Sequence, residues 1–232
     1  TLTDGGANDQ TAAIAAADST TTDARVGDHD CDITISDGVS TVADTYTLTI
    51  TQVNDAPTLS ATGVTADFTE DGSNLALFSS AAAADSDATV TQTYLSIVIT
   101  ITNIADTSEY LVIDGSDCLL GTAATCVADT ATNSGAAVVT GTTTATITWT
   151  ADAGGISEAA METLINALAY KNTDQSPTDV ADRVATITTL QDNGGSSGDN
   201  DDDVTVSIVS TINVVAANDT PVCDAGSAQT VT

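Results

Sequence analysis

Positive charge is almost missing from this sequence: Lys and Arg together number 3 in 232 residues against 33 Asp and Glu, a formal net charge of -30. A chain of that sign repels nucleic acid and anionic lipid at every approach, which excludes nucleic-acid partners and membrane-surface binding. No stretch approaches the roughly 18 apolar residues of a membrane span. The longest strongly apolar run, LSIVITI at 95–101, suits a strand, so no membrane insertion is expected. Aromatics make up only 3%, which leaves the core to Val, Ile, Leu, Ala and Thr, the residues of thin β-sandwich interiors.

The tools of catalysis are scarce as well. The one histidine, His29, sits in GDHDCD among carboxylates that raise its pKa rather than leave it a poised base. No GxSxG elbow and no glycine-rich phosphate loop is present. The single Trp149 lies within an apparent strand and reads as core, not as a platform for sugar. A non-enzymatic protein is expected.

Four cysteines, Cys31, Cys118, Cys126 and Cys223, have no zinc spacing, and one histidine cannot supply the missing ligands. Disulfides are the better reading. Cys118 and Cys126 bracket LLGTAAT, short enough to close locally, while Cys31 and Cys223 pair within the chain, between neighbouring subunits, or not at all. An oxidising, extracellular or cell-surface setting follows. The sequence opens on Thr1 without a charged n-region or an apolar h-region, as when a leader has been removed or the chain is cut from a longer one.

What is abundant is β-forming. A hydrophobic fraction of 41% and a mean hydropathy of +0.12 allow a packed core despite the acidity. Strand signals run at 31–36, 45–53, 58–68, 74–78, 93–104, 109–113, 136–140, 143–150, 183–190 and 203–216, many alternating apolar residues with Thr or Ser. One segment, ISEAAMETLINALAY at 156–170, instead spaces Ile156, Ala160, Met161, Leu164, Ile165 and Leu168 by three and four, with Ser157 as N-cap and Glu158 at the positive end. An all-β fold with one short helix is predicted, Met161 facing the core.

An internal repeat divides the chain. Asn54-Asp55-x-Pro57 in VNDAPTLSATG returns as Asn218-Asp219-x-Pro221 in ANDTPVCDAG, and Thr1-Leu2-x-Asp4-Gly5-Gly6 returns as Thr189-Leu190-x-Asp192-Asn193-Gly194-Gly195. Residues 56–217 are then one complete sandwich. Residues 1–55 are the last strands of a partial unit with an inserted loop, and 218–232 are a linker and first strand of a following or neighbouring unit. A sandwich lacking its opening strands exposes backbone edges, so either the chain belongs to a longer array or the terminal segment of one copy completes the next by strand addition. Head-to-tail contacts that do not close give a filament. The expected partners are copies of the chain or adjacent repeats.

The junctions carry hard-oxygen chemistry. Calcium takes six to eight oxygens at about 2.3–2.6 Å from Asp, Glu, Asn and carbonyl groups. Asn54 and Asp55, with Asn218 and Asp219 at the second junction, offer such ligands from the linkers. Glu70 and Asp71 in TEDG, Asp85 and Asp87 in DSD, and Asn172 and Asp174 in KNTD are further candidates. The competing reading is turn chemistry, since Asp and Asn hydrogen-bond their own backbone. Surface solvation of a halophilic or marine kind explains the acidity equally. Bound divalent ions would relieve the self-repulsion of so much charge. Asn218-Asp219-Thr220 is also a glycosylation phrase.

VNDAPTLSATG, TEDG, DSD, the segment LAYKNTDQSPTDVADRVATITTLQDNGG and the strand into ANDTP together resemble the cadherin-like, immunoglobulin-like tandem repeats of very large bacterial surface proteins and adhesins. The resemblance implies β-sandwich units in tandem, working as an extracellular stalk or fibre stiffened by calcium at junctions matching Asn54, Asp55, Glu70, Asp85 and Asp87. The fuller acidic linker of animal cadherins is absent, and the unit is longer than a usual cadherin repeat, with 115–135 accounting for much of the excess. The rival function is an adhesin recognition module binding a surface glycan or host ligand.

Overall fold

A computed structural model describes residues 27–36, 38–50, 54–85, 92–127, 132–194 and 202–219. Cys223, Asp87 and residues 1–26 lie outside the described residues. The chain divides into two compact units, 1–52 and 53–232.

In the first unit, β1 (Gly27–Ser36) and β2 (Thr41–Ile50) form an antiparallel hairpin in unbroken register, from Gly27 opposite Ile50 to Ser36 opposite Thr41. Alternation of the side chains gives it one Thr/Asp face. There the Thr47 hydroxyl donates to Asp30 Oδ1 at 2.9 Å and the Thr49 hydroxyl to Asp28 Oδ1 at 2.7 Å.

The second unit is all-β with one short helix, its sheets packing as a sandwich. Its strands are β3 (Thr58–Gly63), β4 (Thr65–Thr69), β5 (Leu75–Ala76), β6 (Phe78–Ala84), β7 (Tyr94–Thr102), β8 (Glu109–Ile113), β9 (Ser116–Leu119), β10 (Ala124–Val127), β11 (Gly135–Thr140), β12 (Thr144–Ala151), β13 (Ala169–Asn172), β14 (Arg183–Asp192) and β15 (Asp203–Val215). A seven-stranded sheet runs in the order β10-β11-β12-β7-β14-β15-β4, a four-stranded sheet in the order β5-β13-β8-β9, and β3 pairs with β6.

The middle strands β12, β7 and β14 bury every second residue: Ala145, Ile147 and Trp149, then Ile97, Ile99 and Ile101, then Ala185 and Ile187. Their Thr-rich opposite faces are what the period-two pattern predicts. Met161, Leu164, Ile165, Leu168, Leu111, Ile113 and Phe78 join them in one apolar cluster, each large side chain contributing roughly 1.5–3 kcal/mol of burial.

The helix α1 (Glu158–Asn166) is capped by Ser157, whose side chain accepts from the Ala160 N–H at 3.3 Å. It is shorter than its apolar spacing predicts, because Ala167 closes it and Ala169–Asn172 leaves to pair with β8 and β5. Long-range sheet pairing outweighs helical propensity there. The single strand expected at 58–68 is likewise two. Between them Val64 donates to Leu77 O (3.2 Å) and accepts from the Thr211 N–H (2.8 Å), so the chain leaves β6 and joins β15 in parallel. Gly63 permits the transfer, since a Cβ there would lie 1.9 Å from the Val209 carbonyl oxygen.

The disulfide forms between Cys118 and Cys126. It ties β9, the edge of the four-stranded sheet, to β10, the edge of the seven-stranded one. Both strands lie in the stretch whose Gly, Ala and Thr content reads as loop.

Candidate functional site

Register fixes the two ends of the second unit. At one end β3 begins, β6 finishes and Asp192 of β14 stands opposite Tyr94 of β7. At the other, β4 and β15 finish side by side, Thr69 against Val215. The first Asn-Asp junction lies at the former end, the second at the latter.

The first junction is buried in part. Asn54, 8% exposed, donates through Nδ2 to Asp192 Oδ1 and Oδ2 at 3.3 and 3.5 Å and accepts at Oδ1 from Gln92 Nε2 at 3.1 Å. Asp192 is fully buried and also accepts from the Gly194 N–H at 2.7 Å. A Cβ on Gly194 would fall 1.5 Å from Asn54 Oδ1, so this glycine is required for the close approach. Asn193 Oδ1 holds the Thr93 N–H at 3.1 Å. The Asp-Asn-Gly turn and the Asn-Asp junction, both marked by their recurrence in the sequence, therefore touch in space.

The Asp85 carboxyl stands beside Asp192 in this cluster. Burial first, then the Asp85 carboxyl, pushes Asp192 up to about 6 from its ordinary 3.8. Around them stand the buried Tyr94 hydroxyl and the Thr93 hydroxyl, which meet no hydrogen-bonding partner among the described residues. Burial, followed by the negative charges of Glu158, Asp85, Asp192 and Glu162, keeps the Tyr94 phenol above its usual range. This donor set is all oxygen and carries excess negative charge, which suits a hard cation better than a soft one. Asp55 is half-buried next to Asn54.

At the opposite end Glu70, 4% exposed, accepts the Ala217 N–H at Oε2 (2.7 Å), one residue before the second junction. Its Oε1 is buried without a hydrogen-bonding partner among the described residues. Asp71 accepts from Gln175 Nε2 at 3.0 Å, and Asn218 and Asp219 are exposed, the Asn218 amide donating to the Asp219 carbonyl at 3.1 Å. Asp174 accepts the Ser176 N–H at 3.0 Å and its own N–H donates to Asn172 Oδ1 at 2.9 Å. These are turn-forming bonds of the kind Asn and Asp make in any loop. Among the described residues no group of three or more His, Cys, Asp or Glu converges as the ligands of one ion do.

Asn172 belongs to a different cluster, centred on Arg183, which sequence reasoning missed. This fully buried guanidinium reaches Glu109 Oε1 at 2.7 Å and Oε2 at 3.2 Å, Asp106 Oδ2 at 3.2 Å, and the carbonyls of Thr178 and Ala181. Glu109 also accepts from the Ala105 and Asp106 N–H groups and from the Tyr170 hydroxyl. Burial pushes the Asp106 carboxyl up, but bonds from Thr178 and Asn172 and the charge of Arg183 hold it below the ordinary value. With each charge multiply bonded, the network closes the β7–β8 and β13–β14 corners. The signal available in the sequence was rarity: a chain with three basic residues places one at the first position of an apolar strand.

Models of protein families, curated proteins and solved structures give no match to this chain.

Proposed function

We propose that the protein is an extracellular structural module of a repeat-built surface protein. Its sandwich transmits load, and its two ends are junctions stiffened by calcium, with copies joining head to tail by strand complementation. One observation carries the reading: at one end of a single sandwich Asn54 bonds the buried Asp192, and at the opposite end the buried Glu70 bonds Ala217, the residue before Asn218. In a row of such units the end bearing Glu70 and the next linker would face the end bearing Asp85 and Asp192. Oxygens from the facing end would then add to a coordination shell begun by the carboxylates of each end. When bound, the ion would neutralise carboxylates that otherwise repel and would limit bending.

The distribution of aromatics favours a scaffold over a recognition module. Every aromatic residue of the chain, Tyr46, Phe68, Phe78, Tyr94, Tyr110, Trp149 and Tyr170, lies on a strand and none on a loop. The Cys118–Cys126 disulfide supports an oxidising compartment. Calorimetry tests the ion: calcium should raise the melting temperature of the second unit and chelator lower it, with Asp55→Ala weakening the response. A melt indifferent to both would remove calcium from the proposal.

A further inference from the structure

β2 repeats β15 at a separation of 164 residues, the distance from Asn54 to Asn218. Thr41, Val42 and Thr47 recur as Thr205, Val206 and Thr211, and Leu48 and Ile50 as Ile212 and Val214. Their partners correspond too, for β1 pairs with β2 antiparallel as β14 pairs with β15. The surroundings differ. Ser210 and Ile212 are fully buried and Val214 is 2% exposed, whereas Tyr46 and Leu48, in the places of Ser210 and Ile212, are 53% and 43% exposed. Ile35 and Val42, opposite each other on the same face, are also exposed. Among the described residues, a two-stranded hairpin with these apolar side chains exposed is marginal in water, and its outer strand edge invites pairing.

In the second unit the corresponding edge is closed by β4, parallel to β15 from Thr65 opposite Thr211 to Thr69 opposite Val215. Thr211 N–H to Val64 O (2.8 Å) and Glu70 N–H to Val215 O (2.9 Å) bracket the ladder. The segment equivalent to β3 and β4 by the same spacing is 222–232, which follows the second junction as β3 and β4 follow the first. There Cys223 and Ala225 take the places of Leu59 and Ala61, which pack against the core.

Resting on the repeat-module reading above, we propose that the outer edge of β2 is a docking edge for a second copy of this chain, occupied by that copy's residues 222–232 in parallel register. By the 164-residue spacing Thr47 corresponds to Thr211 and Gln229 to Thr65, the pair that opens the parallel ladder in the second unit. The hydrogen-bond ladder supplies affinity, and the alternation of small inward residues sets the register.

Sedimentation velocity of the full chain over a concentration series tests this, with a synthetic peptide of residues 218–232, a scrambled peptide and the variant Thr47→Pro. The expected result is concentration-dependent multimers that excess native peptide, but not the scrambled one, returns to single chains. Thr47→Pro should stay single with the melting of the second unit unchanged. A chain that remains single at every concentration, or multimers indifferent to both peptide and proline, would overturn the assignment. Either outcome leaves the chelator-sensitive melt standing, whereas a melt that ignores calcium beside peptide-sensitive assembly would remove the ion and keep this edge.

Discussion

At the scale of single residues, two buried charges behave oppositely. Asp192 holds its proton to about pH 6 when folded, against an ordinary 3.8. Its stabilising contribution is complete below the ordinary value and is lost as pH rises through 6. At about 1.4 kcal/mol per pH unit, the cost at neutral pH is on the order of 3 kcal/mol. In chelator, the melting temperature of the second unit should fall by several degrees between pH 4 and 7, and Asp192→Asn should flatten most of that slope. A wild-type slope retained in the variant would assign the effect to the general repulsion of the acidic surface. Arg183 has no such latitude. Arg183→Ala strands Asp106 and Glu109 in the interior, and loss of one partner of a buried ion pair costs about 3–5 kcal/mol, so urea unfolding should shift to markedly lower midpoint. The sequence displayed Arg183 as a rare cation but not its partners, because Glu109 is 74 residues away.

At the scale of elements, strand existence was legible and strand partnership was not. β7, β12, β14 and β15 follow the alternation that identifies them, since a strand with one buried face needs an apolar residue at every second position. The split at Gly63 and the early stop of the helix at Ala167 follow from contacts with β15 and with β8, which no local window contains. β9 and β10 were hidden in a Gly- and Thr-rich stretch, although their cysteines announced the link between them. That link staples the edges of two sheets across a sequence separation of 8, a closure worth about 2–3 kcal/mol by loop entropy. Reduction should lower the unfolding free energy of the second unit by that amount, read by denaturant titration with and without dithiothreitol, and Cys118→Ser should reproduce it.

For the whole molecule, charge decides how the ends behave. With a net charge of -30, monovalent salt should raise stability gradually by screening. Calcium, if it seats at the junctions, should add a saturable increment at concentrations too low to screen. The two responses separate a site from an atmosphere, and a calcium curve superimposable on sodium at equal ionic strength would leave only the atmosphere. The described residues form a sandwich with its own core and, in the first unit, a hairpin on which Ile35, Val42, Tyr46 and Leu48 are exposed. The Asn-Asp-x-Pro recurrence signalled a boundary beside residue 54 because linker chemistry is written in adjacent residues.

The sequence by itself determined the β class, the N-cap at Ser157 and the local disulfide. Each depends on side chains within a few positions of one another, through alternation, turn geometry or short loop closure. Only the tertiary structure decided that Asn54 would meet Asp192 across 138 residues, that Asp85 would stand close enough to raise that carboxyl, and that Arg183 would vanish into the interior. Those outcomes depend on which strands lie side by side, and desolvation acts on groups that the fold, not the order of residues, brings together.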